Sequence, residues 1–458
     1  MLRNQLKDQE FSIERLERVR DSFREGATDG GTQDVQASRG GTTVGDGRGL
    51  FASDRRLGLS PADRHFLFVT GPFGPLSGEV ARRLRGAGAR ATRVLLSVGD
   101  LIDWGIRHCA VYRGERSEWK DWLADHFGRE SVTDLVVFGD SHTYCVDAME
   151  AAKRHGITVH VLEEGYFRPH WITLERDGVN GMSGLPRGSE FYRRTAPACP
   201  EVEFVPVGRI TPAAVAHISA YHFAQFLAAP LFPHYRAPSA YSPSYQAVSH
   251  TRRFLKQKLR AKRYDRDLRA ILMDPSPIFL ALLQRPGDSQ LIRYSEFGTV
   301  ESFIEHVVSS FSKHAPPEAR LLFKAHPLDH GIERHDRTLD RVVEAYGLAD
   351  RGFYTDVGHF PSMVRSSVGV ISVNSTGGLT AIESRKPTAA LGMAIYNIPG
   401  LTHQGGLDSF WTAPEAPDDS LFRAFRTVVI AKTQINGAYS TSHGVRLAAP
   451  EVARRLLA

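Results

Sequence analysis

At 458 residues the chain is too long for one ordinary core and implies two domains with connecting material. Its 42% hydrophobic and 24% charged content is that of a globular protein, with no run of about 18 apolar residues to span a bilayer, and the charged start MLRNQLKDQEFSIERLERVRD lacks the apolar stretch of a secretion signal. The net charge of +6 is mild, and three scattered cysteines, Cys109, Cys145 and Cys199, fit a reducing cytoplasm and argue against a disulfide framework or a zinc cluster.

In chain order, residues 1–60 open with a short amphipathic helical pattern and run into ATDGGTQDVQASRGGTTVGDGRG, too poor in apolar residues to fold and read as a disordered tail. Residues 61–211 alternate strands and helices at βαβ spacing: HFLFVT, a helix over LSGEVARRLRGAG, TRVLLSVG, DLVVFGD, a helix from about Ser141, and ITVHVL. That last helix carries Cys145, Ala148, Met149 and Ala152 as one apolar stripe for packing on a sheet. Residues 212–275 differ in kind, with a helical aromatic stretch, a Pro and Tyr loop, and the basic segment TRRFLKQKLRAKRYDRDLR. Phe254, Leu255, Leu259, Leu268 and Ile271 give this segment an intermittent apolar side. It reads either as a helix on an anionic membrane surface or as a solvated helix bridging domains; no nucleic-acid motif accompanies it. Residues 276–440 return to alternation with IFLALLQ, a helix of 3.6 period over Val300–Phe311, RLLFKAH, GFYTD, VGVISVN, a helix from Thr376, and TAALG, leaving 441–458 as a C-terminal segment. Two such blocks imply two Rossmann-like α/β domains facing each other across a cleft, joined by a helical, basic connector.

Candidate chemistry falls at strand ends. In VLEEGYFRPHWITLE a buried strand stops at Glu163 and Glu164, and Gly165 lets the backbone turn. Adjacent strand residues point to opposite sides, so only one of the two glutamates faces a given cleft. FGDSHTY offers Asp140 at a neighbouring strand end. In the second block, NSTGG sets Asn374, Ser375, Thr376, Gly377 and Gly378 between a strand and a helix, where free amides and the helix dipole favour a phosphate. An N-capped helix without a ligand is the plainer reading. Glu383, farther along, could reach a sugar hydroxyl. Lys324 and His326 end RLLFKAH and can neutralise a phosphate or donate to it. The loop after IFLALLQ carries Asp288 and Gln290.

Taken together, EEGYFRPHWITLE (163–175), the LQxxxDSQ pattern (283–290), KAHP (324–327) and NSTGGLTAIE (374–383) resemble the capsule polysaccharide biosynthesis and export family of Gram-negative bacteria, and within it the branch similar to retaining β-Kdo transferases. The resemblance covers roughly residues 65–440. It implies a GT-B-like arrangement of the two domains, a CMP-Kdo donor with no further cofactor or metal, and a lysophospholipid or glycolipid acceptor. It also implies work at the inner face of the cytoplasmic membrane beside other capsule proteins. By residue, it implies CMP binding by His326, Ser375, Thr376 and Glu383, with Asp288 as the catalytic aspartate. A retaining transfer needs a nucleophilic carboxylate and a second group to handle the acceptor proton. Asp288 is expected as nucleophile and Glu164 as acid/base, with Glu163 the close competitor. Arg168 and His170, beside Asp140, are expected to bind the Kdo carboxylate or an acceptor phosphate. A transferase using another sugar nucleotide, or a non-catalytic export factor, remain as alternatives.

Overall fold

The computed structural model describes residues 59–236, 243–285, 287–327, 329 and 331–458; the expected tail lies outside them but for its last two residues. The first block forms strands β1 (His65–Val69), β2 (Arg90–Leu95), β3 (Cys109–Val111), β4 (Asp134–Phe138), β5 (Thr158–Glu164) and β6 (Trp171–Arg176). The second forms β7 (Ile278–Leu282), β8 (Arg320–Lys324), β9 (Gly352–Thr355), β10 (Gly369–Ser372) and β11 (Thr388–Ala390). A last strand, β12 (Gln434–Asn436), lies near the chain end. The first sheet runs β12-β6-β5-β4-β1-β2-β3, and the second β11-β10-β7-β8-β9. The second sheet is wholly parallel. In the first, only β6 against β5 and β12 against β6 are antiparallel. These are the two Rossmann-like units expected from the alternation.

The expected helical stripes are the buried ones. Cys145, Ala148, Met149 and Ala152 line the inner face of the helix Thr143–Arg154, and Val300, Phe303, Ile304, Val307, Val308 and Phe311 that of Val300–His314. Central parallel strands buried on both faces need near-continuous apolar runs, as in HFLFV and IFLAL, whose five residues are all buried.

Two features depart from the expected organisation. The strand β12 already belongs to the first sheet, pairing Ile435 with Ile172, so the second domain ends before position 440. The helix Ser442–Leu457 then covers the first sheet, packing Val445, Ala448, Ala449, Val452 and Leu456 into one cluster with Phe66, Phe68, Leu76, Val80 and Leu84. Residues 441–458 are therefore part of the first domain's core.

The connector forms two helices. Pro212–Leu227 sets Tyr221 against Gly99 and bonds His217 Nε2 to Asp103 Oδ1 at 2.6 Å, while its opposite face leaves Val215, Phe223, Phe226 and Leu227 exposed. Pro243–Met273 is a 31-residue helix. Leu268 packs within the apolar cluster of the second domain, with Ile271 and Leu272 against it, whereas Phe254, Leu255 and Leu259 are exposed. The single apolar side read from the sequence is thus divided between two faces. No helix among the described residues is long and apolar enough to cross a membrane.

Candidate active site

Both sheets reverse strand order beside their first strand, β1 against β4 and β7 against β10. Parallel α/β sheets bind ligands in the crevice at such a reversal, outside the carboxyl ends of the strands. Asp140 follows β4, Arg285 and Asp288 follow β7, and Asn374 follows β10. Across the second crevice, Gln284 Nε2 donates to Asn374 Oδ1 at 2.8 Å.

At the end of β5 the pleat separates the two glutamates. Glu164 is exposed, whereas Glu163 is half-buried. Its Oε1 accepts the Glu164 amide at 2.9 Å, and its Oε2 lies over Gly139, where a Cβ would approach to 3.2 Å. Burial pushes the Glu163 carboxyl up to about 7. The Glu164 amide and the charge of Arg168 oppose that rise, while Asp140 and Glu164 add to it. Asp140 is 1% exposed and accepts the Val179 amide on Oδ2 at 2.9 Å. Burial raises its pKa, and the Tyr294 hydroxyl is close enough to oppose that. Even so, Asp140 Oδ1 and the Tyr294 hydroxyl are both buried without a hydrogen bond of regular geometry.

Facing these are the strand ends of the second domain. Lys324 is buried and donates to the Ala325 carbonyl at 2.9 Å; burial lowers it to about 8, with Arg253 adding and Asp356 and Asp329 opposing. Burial lowers His326 to about 4, reinforced by Arg285 and Arg168. His326 is therefore neutral near pH 7, so of the two roles expected of it, neutralising a phosphate or donating to it, its charge allows donation. Arg168, from the first domain, acts on both Glu163 and His326. It links the two halves electrically, as do Arg293 and Tyr294 of the second domain through Asp140.

The Asn374–Gly378 turn corrects another expectation. The Ser375 amide donates to Ser372 Oγ, that of Gly377 to Ser375 Oγ and that of Gly378 to the Ser375 carbonyl, at 3.0, 3.1 and 2.9 Å. Those three amides are consumed in capping the helix Thr376–Glu383, leaving its dipole but not a row of free donors. Gly378 is there for packing, since a Cβ would meet the Tyr396 hydroxyl at 2.3 Å. Side chains supply the polar surface instead: Asn374 and Thr376 line a cleft with Tyr166 and Asn180 of the first domain.

The remaining expected residues divide. Asp288 is half-buried on its loop, with its carbonyl accepting the Leu291 and Ile292 amides at 3.0 and 3.1 Å, so it caps the helix Ser289–Tyr294. Gln290 lies in that helix with its side chain outside the described part. Glu383 is exposed at the far end of its helix, about 10 Å of helix rise from the turn. It lies 3.6 Å from Arg426, whose guanidinium sits 5.7 Å from the Phe167 ring centre. His170 is engaged elsewhere: its ring stacks on Phe204 at 4.8 Å, and its carbonyl accepts from Asn436 and Gly437.

Sequence reasoning missed Arg285, Tyr166 and Glu175. Glu175 is buried on β6, accepts the Tyr166 hydroxyl on Oε1 at 2.7 Å and the Ser183 hydroxyl on Oε2, and is pushed up to about 7 by burial, with Asp140 adding. It holds Tyr166 at the cleft wall, and the Tyr166 hydroxyl accepts the Asn180 amide at 2.8 Å. The alternation of WITLER into β6 was the available signal.

The family profile described as capsule polysaccharide biosynthesis protein matches residues 133–439. The chain belongs to this family. Among curated family proteins, the capsule polysaccharide export protein KpsS of Escherichia coli is 34% identical over 378 residues, covering 82% of this chain and 97% of that protein. The capsule polysaccharide modification protein LipB of Neisseria meningitidis serogroup A is 32% identical over 394 residues, covering 83% and 93%. Among solved structures, the KpsC β-Kdo 2,7 transferase of Thermosulfurimonas dismutans aligns at 12% identity with a TM-score of 0.42, over 86% of this chain and 99% of that one. The span matched by the family profile holds every expected site residue, from Asp140 to Glu383.

Proposed function

We propose that this capsule family protein is a retaining glycosyltransferase that moves β-Kdo from CMP-Kdo to a lysophospholipid or glycolipid acceptor at the inner face of the cytoplasmic membrane. The observation that carries this reading is the half-buried Glu163, titrating near 7 and coupled through Arg168 to the Arg285 and His326 cluster of the facing domain. A carboxyl poised near neutral pH can both take and return a proton. The positive charges of Arg168, Arg285 and Lys324 around His326 suit a departing nucleoside monophosphate, which needs no metal to leave.

In this mechanism a carboxylate attacks the anomeric carbon, the bonding pair leaves with the CMP phosphate oxygen, and a glycosyl-enzyme forms. The acceptor hydroxyl then displaces the carboxylate and gives its proton to Glu163. Asp288 keeps the nucleophile's role carried over from the resemblance. Asp140 competes for it, because it lies close enough to Glu163 to act on its charge and its Oδ1 is held by no hydrogen bond of regular geometry. Glu163, not the exposed Glu164, takes the acid/base role.

The relative named for export favours a second reading, a factor that binds the capsule glycolipid without turnover. Mass spectrometry of the protein with CMP-Kdo and lysophosphatidylglycerol separates the two. Transfer is expected to add one Kdo to the acceptor, with Asp288→Asn or Asp140→Asn, whichever is the nucleophile, losing turnover but retaining CMP. Binding of CMP and acceptor without any product would sink the transferase reading.

A further inference from the structure

We infer that the outward face of the helix Pro243–Met273 is a docking surface for an anionic lipid bilayer. About half of the large hydrophobic side chains exposed among the described residues fall between Ile210 and Met273, and this helix holds six of them: Tyr245, Val248, Phe254, Leu255, Leu259 and Met273. Helical geometry sorts them. One face is fastened to the second domain: Arg253 bonds to the Asp329 carbonyl and lies 3.4 Å from Asp356, Gln257 donates to the Asp356 carbonyl at 3.2 Å, and Leu268 packs against Met363 and Gly358. Val248, Leu255, Leu259 and Met273, at spacings of seven, four and fourteen, lie on the opposite face. Leu259 is 86% exposed and Met273 83%. Exposed Arg252, Lys256 and Lys258 flank that stripe.

An apolar stripe with basic flanks on a surface helix suits the plane of an anionic leaflet, where the apolar chains enter the acyl boundary and the cations meet headgroup phosphates. A solvated bridging helix has no use for a leucine as exposed as Leu259. A nucleic acid would satisfy the cations and leave the apolar stripe in water. The identity of the membrane rests on the transferase reading above; the surface itself does not. Because Arg253 also acts on Lys324, the docking helix touches the loops of the nucleotide-facing domain directly.

The test is flotation of the full chain with phosphatidylcholine vesicles prepared with and without phosphatidylglycerol. Binding is expected only with the anionic lipid. Leu255→Ser/Leu259→Ser and Lys256→Glu/Lys258→Glu, whose side chains are all solvent-exposed and whose folding is checked by circular dichroism, are each expected to weaken binding roughly 10-fold or more. No binding by the wild type, equal binding to neutral vesicles, or unchanged binding by the folded variants would overturn the inference. So would duplex DNA displacing the vesicles while the leucine variant binds them normally. Vesicle binding without Kdo transfer would count against the transferase reading alone, and transfer to a detergent-dispersed acceptor without vesicle binding would count against the surface alone.

Discussion

Glu163 and Glu164 differ by one position and by nearly everything else. The pleat turns one toward Gly139 and Asp140 and leaves the other in water, so desolvation raises the Glu163 carboxyl from an ordinary 4.5 to about 7. A general base must be deprotonated, so transfer is expected to rise with pH through a limb near 7. Glu163→Gln should abolish that limb and cut kcat/KM by roughly 10²-fold or more, while Glu164→Gln stays near wild type. A pH–rate series on the three proteins checks it, and a limb near 7 persisting in Glu163→Gln would remove Glu163 from the role. The same shift bears on stability. The folded state holds an extra proton between about pH 4.5 and 7, so its contribution is present below 4.5 and fades as pH rises through 7. Glu163→Gln should flatten that slope, worth roughly 2 kcal/mol after allowance for partial exposure. The choice between the two glutamates was not legible in the sequence. It depends on which side of β5 packs against the Gly139–Asp140 turn, and no local pattern encodes that.

At the scale of elements, the long parallel strands were legible because both faces are buried and the sequence is continuously apolar. Two short edge strands were not: β3 and β12 have three residues each, too few for a periodicity to be counted, whereas the equally short β11 was legible from its place in the alternation after the helix from Thr376. The β5–β6 hairpin lies between these cases. Its glycine was read correctly as a turn, but the close approach there is tighter than a turn requires, since a Cβ on Gly165 would lie 2.0 Å from the Trp171 carbonyl oxygen. Gly165→Ala must therefore displace β6 or open the hairpin, which carries Glu163 on one strand and Glu175 on the other. The expected outcome is a loss of more than about 1 kcal/mol in denaturant unfolding. Activity should fall further than stability alone explains, because both carboxyls move. A variant as stable as wild type would show that the hairpin tolerates the displacement. The Asn374–Gly378 turn shows the converse. Its residues were legible, whereas the use of its amides within the cap was decided by the hydroxyls of Ser372 and Ser375 and by the Ser375 carbonyl.

For the molecule as a whole, the first domain is built from sequence about 375 residues apart, counted from β1 to the helix Ser442–Leu457. That closure was invisible from the sequence, because an amphipathic C-terminal helix carries no address for the surface it covers. It has a thermodynamic consequence. Leu456 is fully buried against the first domain's cluster, so Leu456→Ala should cost about 2–5 kcal/mol. The loss should also be spatially selective. Hydrogen exchange is expected to accelerate in β1 and in the helix Leu76–Gly86, which share that cluster, while β7 and β8 of the second sheet keep their protection, because local stability follows the packing lost and not distance along the chain. Uniform acceleration in both sheets would instead mean that the two domains unfold as one unit. In that case the contacts across the cleft, among them Arg187 to the Ala394 carbonyl and Gly181 against the Tyr294 ring, would be as strong as the cores they join.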